Sequence, residues 1–436
     1  MHFNTFNINV FVLFSLVAGT PTSLHKNVAR NETTEPLLPS QDPFYTAPVD
    51  WENTSPGTIL RIRTAPGNVT TVIANTSAAY NIVFRTTDSN YKPSWAVTTV
   101  LAPFQNATTS RNSTYNSLLS LQIAYNTAYP DSTPSLMLYS AASEPTFGGP
   151  STADDIAYML GNGWYVTIPD HEGPLASFGL GIQEGHATID SIRATLNSAI
   201  LPRDTETKTA MWGYSGGSIA STWAAELQEQ YAPELRFAGM AIGGMVPNMT
   251  QSFPILSGTP NAGLLPAIML GSTSQDAEAR EFLLSRLKTD GPFNVTGFLE
   301  SLHYDVFTSF LAYAGQDIGE YFIGGLQDLR APVLERIARS NWWQGYHGIP
   351  QTPVFAYKAI NDDFAPVSDS DELIERWCGI GVDVRYERNE VGAHVSEIAN
   401  GRVRALAWLK TVFDGTLEKT GCDVKNVSVS LIDIPA

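Results

Sequence analysis

Ser215 lies in the pentapeptide Gly213-Tyr214-Ser215-Gly216-Gly217, and a serine in that setting can attack a carbonyl carbon. Its hydroxyl is a weak nucleophile until a base takes the proton. The run before it, Thr209 to Trp212, reads as a short strand, and the Ala-rich stretch from Gly216 to Tyr231 reads as a helix. A strand, a tight turn and a helix present the hydroxyl on an exposed corner, and small flanking residues let neighbouring backbone pass close by. The start of that helix also lends a positive end to an oxyanion formed there.

A base should follow the serine in the chain, with an acid ahead of it. His2, His25, His171 and His186 precede Ser215, while His303 and His347 fall in or beside a stretch without sheet pattern. That leaves His394, in Val391-Gly392-Ala393-His394, after a strand ending near Arg388. The loop after the preceding strand reads Asn361-Asp362-Asp363-Phe364-Ala365-Pro366 and supplies Asp362 as the acid, with Asp363 as the alternate. The same six residues also suit an ordinary turn. A carboxylate here would accept the ring N–H of His394 and fix its tautomer. Serine, acid and histidine in that order, each at a strand end, is the arrangement of the α/β-hydrolase fold. Two donors are needed for the oxyanion: the backbone N–H of Gly216 is one, and the loop beginning at Asp170, after the strand Trp164 to Ile168, is the expected source of the other. A metal site built from Asp170, His171 and Glu172 is the rival for that loop, disfavoured because adjacent residues rarely all point at one ion.

The elements that must carry these groups begin with four β-type runs: Thr58 to Arg63, Tyr80 to Arg85, Ala96 to Leu101 and Leu118 to Tyr125. After a helix near Ala153 to Gly161, strands and helices alternate through Phe237 to Ile242, including a helix over Glu184 to Leu201. This rhythm predicts a mostly parallel sheet flanked by helices. From 247 to 345 helical spacing replaces it, as at Val306, Phe310 and Tyr313, and strands resume at Val354 to Ile360 and Val382 to Arg388 before a last helix, Arg402 to Phe413. The layout expected is a hydrolase core over 42–246 and 346–436, interrupted by a helical cap over 247–345 that sits above the carboxyl ends of the strands. Apolar cap residues such as Leu264, Leu265, Ile268, Phe307, Phe310, Tyr321 and Phe322 either face a lipid-like substrate or form the cap's own core.

Residues 1–23 carry an apolar run, Val10 to Val17, followed by small residues, the pattern of a cleaved signal peptide, and residues 24–41 read as a flexible polar leader. Sequons at Asn31, Asn53, Asn68, Asn75, Asn106, Asn112, Asn248, Asn294 and Asn426 suit a glycosylated secreted protein. The two cysteines, Cys378 and Cys422, either close a C-terminal loop or remain buried thiols. A formal net charge of -17 repels phosphate backbones, so nucleic acid is excluded as a partner.

Several stretches resemble the fungal secretory lipase family: Asp42-Pro43-Phe44-Tyr45, Phe84-Arg85-Thr86-Thr87, Asp170-His171-Glu172-Gly173, the Ser215 pentapeptide, Ala232-Pro233-Glu234-Leu235, Ala359-Ile360-Asn361-Asp362 and Ala393-His394. The resemblance implies a secreted carboxylic-ester hydrolase with a Ser215, Asp362 and His394 triad, an oxyanion hole from Asp170 and Gly216, and a Cys378–Cys422 disulfide. It implies no cofactor, no metal and no obligate protein partner, and contact with a lipid–water interface. A triacylglycerol lipase is the first expectation. A deacetylase of an acetylated specialised metabolite is the second, since the family includes esterases of trichothecene toxins. A lipid-binding protein without chemistry comes last, because all three triad residues are present.

Overall fold

The computed structural model describes residues 36–104, 115–139, 152–203 and 205–430. The expected signal segment, most of the leader and the sequons at Asn31, Asn106 and Asn112 lie outside them. Ten strands form one sheet: β1 (Ile59–Thr64), β2 (Thr76–Thr87), β3 (Pro93–Pro103), β4 (Tyr115–Gln122), β5 (Tyr165–Pro169), β6 (Glu206–Tyr214), β7 (Phe237–Gly243), β8 (Val354–Ala359), β9 (Val384–Asn389) and β10 (Cys422–Val427). Their order is β1-β2-β3-β5-β4-β6-β7-β8-β9-β10. The first three strands and the β3–β5 pairing are antiparallel, and every pairing from β5 to β10 is parallel.

Both faces are covered, and strand alternation sorts the side chains between two cores. Leu118, Met211, Met240 and Val354 face the helices Gly181–Asn197 and Gly216–Tyr231. Leu119, Trp212, Ala241 and Phe355 face Thr152–Gly161 and His394–Asp414. β8 is buried along all six residues, as the middle of a covered sheet requires.

The last helix begins at His394, eight residues before the expected start at Arg402. Gly401 lies inside this helix, where a Cβ would overlap the Tyr357 ring. A further strand, β10, follows it at the sheet edge. Its alternating half-exposed burial is too polar to announce a strand. Cys378 and Cys422 are joined by a disulfide across 44 residues, tying the end of the Val367–Gly379 helix to β10.

Between β7 and β8 run several helices, among them Met249–Leu256, Leu264–Ser272, Val306–Tyr313 and Pro332–Asn341. All nine residues of Leu264–Ser272 are buried. Leu264, Leu265, Ile268, Tyr321 and Phe322 are therefore packing residues of this insertion, whereas Phe307 and Phe310 line a cavity above Ser215. Of the described sequons, Asn53, Asn68, Asn75 and Asn426 are exposed, while Asn248 and Asn294 are half-buried helix caps.

Candidate active site

β6 runs straight into the Gly216–Tyr231 helix, and Ser215 takes the whole change of direction at φ 55° and ψ −122°. Few non-glycine residues tolerate that conformation, so the surroundings must hold it. Its N–H donates to the Gly243 carbonyl at 2.9 Å, and its carbonyl starts the helix by accepting from Ser218 N. A Cβ at Gly213 would overlap the Gly217 carbonyl, and one at Gly217 would overlap the Gln122 carbonyl. The flanking glycines are thus dictated by how closely strand, turn and helix pass one another.

His394 Nε2 lies 2.8 Å from Ser215 Oγ, and His394 Nδ1 lies 2.8 Å from Asp362 Oδ2. The other Asp362 oxygen accepts from Phe364 N at 2.9 Å and Ala365 N at 3.0 Å. The expected turn and the expected acid are therefore one structure: the turn orients the carboxylate. Asp363 has a different task, accepting the His394 backbone N–H at 3.1 Å where the last helix begins. Phe364 stacks on the imidazole at 4.2 Å between centroids, and Tyr214 donates its hydroxyl to the His394 carbonyl at 2.6 Å. Ring, turn and helix start are held together from three sides.

Lys358, fully buried on β8, places its Nζ 3.0 Å from Asp362 Oδ2 and donates to the Met245 carbonyl at 2.6 Å. Burial alone would push the Asp362 carboxyl up. The facing His394, then Lys358 and the turn N–H groups, overturn that and hold it well below the usual carboxylate range. Burial in turn pulls the Lys358 ammonium down, against the attraction of Asp362. Sequence reasoning missed Lys358. Its signal was a lone lysine inside the apolar strand Val354–Ala359, four residues before Asp362.

The oxyanion side differs from expectation. β4, not β5, lies beside β6, so the loop after β4 borders the nucleophile while the Asp170 loop is one strand further away. Asp170 gives its N–H to the Val97 carbonyl at 2.8 Å, and its carboxylate holds Ser135 through N at 2.9 Å and Oγ at 2.6 Å. With both groups committed it is not a donor to Ser215. Asn126, in the loop after β4, is the neighbour instead. Its backbone is left-handed at φ 47°, its Oδ1 is buried without a partner, and a Cβ on Gly216 would overlap that oxygen. Asn126, Ser215 and His394 line one cavity of about 580 Å³. The strand order that brings Asn126 here cannot be read from a single sequence, because β5 crosses over β4.

Several carboxyls are buried in the chain, and burial outweighs the donors and cations beside them. Burial pushes Glu184 and Glu226 up to about 8, and Asp170 and Glu397 up to about 7. Burial also lowers His171 to about 3 and His186 to about 4. Raised carboxyl values mean that the folded chain keeps protons the unfolded chain has released above about pH 4.5, so their contribution is lost as pH rises through 7 and 8. The two neutral histidines act in the other direction, lowering stability only as pH falls below about 6.5. The melting temperature is therefore expected to fall between pH 6.5 and 8.5, followed by calorimetry at constant ionic strength. A rise across that window would contradict these burial effects.

Among the described residues no group of three or more His, Cys, Asp or Glu side chains is gathered as metal ligands. A mostly parallel sheet, a strained serine between strand and helix, and an acid and histidine following in chain order define an α/β-hydrolase, here a carboxylic-ester hydrolase of the lipase and esterase kind. The chain belongs to the secretory lipase family, whose family model matches residues 152–421. It is 42% identical to a trichothecene C-3 esterase of Fusarium sporotrichioides, over 92% of this chain and 90% of that one. It is 44% identical to a probable trichothecene esterase of Stachybotrys chartarum, over 95% of this chain and 84% of the relative. Among solved structures it is similar to Candida antarctica lipase A in its closed state, with a TM-score of 0.80 and 25% identity over 92% of this chain and 93% of the other.

Proposed function

We propose that this chain is an exported esterase that removes a small acyl group, such as acetate, from an alcohol of the trichothecene type. Ser215 is the nucleophile, His394 the base and Asp362 the acid that orients it. The observation that carries the chemistry is the pair of 2.8 Å contacts on either side of the His394 ring, made to a serine held at positive φ. Two relatives named as trichothecene esterases, one of them as probable, above 40% identity, set against 30–32% for relatives named as lipases, favour this substrate class over triacylglycerol. The family's secretory character, the disulfide and the exposed sequons Asn53 and Asn68 support export.

Ser215 Oγ attacks the ester carbonyl carbon as its proton passes to His394 Nε2. The carbonyl electrons move to oxygen, and the Gly216 N–H with the Asn126 side-chain amide stabilise the charge. As the intermediate collapses, the alcohol leaves with the proton from His394, and the acyl group remains on Ser215. Water then attacks the acyl carbon, giving its proton to His394. The acid departs, and Ser215 regains its hydrogen. Asp362 stays ionised throughout, which Lys358 and the turn N–H groups favour.

Asn126→Ala is expected to lower kcat by about 10² to 10³ while changing KM little, the pattern of a donor used mainly in the transition state. Unchanged kcat would remove Asn126 from the oxyanion site. The substrate class is tested with p-nitrophenyl esters from acetyl to palmitoyl, emulsified triglyceride, and a trichothecene bearing a C-3 acetate. Turnover of the acetates with at least tenfold lower kcat/KM for palmitate and triglyceride supports the reading. Equal or better turnover of palmitate and triglyceride makes the chain a lipase.

A further inference from the structure

The helix that begins at His394 continues along the wall of the catalytic cavity, and Ile398 and Arg402 on it line the same space as Ser215. Eight residues at 1.5 Å each place Arg402 about 12 Å along the axis from His394. Arg402 donates to Asp155 Oδ1 through Nε at 2.7 Å and also through Nη2. Asp155 belongs to the Thr152–Gly161 helix and lines the cavity as well. The side chains of this pair are only 13% and 15% exposed.

Both Arg402 donors in use converge on a single carboxylate oxygen. Among the described residues this leaves Nη1 of Arg402 and Oδ2 of Asp155 without a hydrogen bond to each other, on side chains that border a space of about 580 Å³. Elsewhere that space is bounded mostly by apolar groups such as Leu121, Ile398, Phe307 and Phe310, with Gln122, Ser132, Asn261 and Asp305 as further polar lining. A cavity of this size suits a compact ligand. An alkyl chain lying against the pair would strip water from a charged donor and acceptor and return nothing. A hydroxyl, ether or ester oxygen at the same place would accept from Arg402.

Resting on the esterase reading of Ser215, we infer that Arg402 and Asp155 are the specificity-determining end of this cavity: they hold the oxygen-rich alcohol portion of a compact ester whose carbonyl lies on Ser215, and they disfavour alkyl chains. Thr152, on the same helix as Asp155, also lines the cavity. The ester thus spans the cavity between the reacting carbonyl at one end and a charge-assisted hydrogen bond at the other.

The test measures kcat and KM on three acetates, with melting temperature as a check of folding. The probes are a trichothecene C-3 acetate, glucose pentaacetate as an unrelated oxygen-rich ester, and menthyl acetate as a compact ester of an apolar alcohol. In the Arg402→Leu/Asp155→Leu double variant, the kcat/KM ratio of each oxygen-rich acetate to menthyl acetate is expected to fall at least tenfold, through KM and not kcat. Arg402→Lys keeps the charge but loses the forked donor, so its ratio should fall between parent and double variant even if the double variant does not fold. An unchanged ratio in the variants, or an equal loss on all three esters, overturns the inference and makes the pair structural. If the parent cleaves glucose pentaacetate in a pair-dependent way but spares the trichothecene, only the trichothecene reading falls.

Discussion

Ser215→Ala is expected to lower kcat on p-nitrophenyl acetate by about 10⁴-fold or more, leaving only what binding and the oxyanion donors supply. The reason is local. Among the described hydroxyls Ser215 alone contacts the His394 ring, so no neighbouring serine can take over its role. Ser218 and Ser221 sit in the same helix but give their hydroxyls to the carbonyls of Ser215 and Gly217. The substitution should leave the fold intact, because the bonds that pin the turn run through the Ser215 backbone and not its side chain. An alanine variant retaining a tenth or more of the parent rate would place the nucleophile elsewhere, since removing the nucleophile of such a triad costs about 10⁶ in kcat.

Asp362→Asn should cost almost as much, about 10³ to 10⁴ in kcat, because an amide no longer enforces the imidazole tautomer that accepts the serine proton. Asp363→Asn provides the contrast. Its carbonyl oxygen can still accept the His394 backbone N–H, so a loss within about tenfold is expected, in keeping with an interaction that only caps a helix. Measuring both variants on one ester, with melting curves to confirm folding, ranks the two adjacent carboxylates directly. The reverse ranking would assign the acid to Asp363 and leave the Lys358–Asp362 contact as a structural ion pair.

Much of this was legible in the chain because it is local. The strand, serine turn and helix around residue 215 follow from propensity and pattern, and the expectation that Asp362 and His394 lie beside Ser215 follows from chain order. The start of the last helix was missed, though glycine in a helix has weak propensity and Gly401 sits inside it where the Tyr357 ring leaves no room for a side chain. β10 was missed because an edge strand with one wet face carries little apolar signal. The proposed oxyanion residue was missed for a topological reason. Asp170 and Asn126 each follow a strand, and only the crossover that sets β4 against β6 decides which loop meets Ser215. Lys358 was visible but uninterpreted, since a lysine in a buried strand makes sense only once Asp362 is seen beside it.

The central claim is that one serine, activated by one histidine, carries the acyl group. A fluorophosphonate probe incubated with the parent protein, followed by digestion and mass mapping, tests this directly, because such a probe bonds only to a hydroxyl that a base has made nucleophilic. The label is expected on the peptide containing Ser215, with labelling lost in both Ser215→Ala and His394→Ala. Label on any other residue, or undiminished labelling of the Ser215→Ala protein, would contradict the assignment.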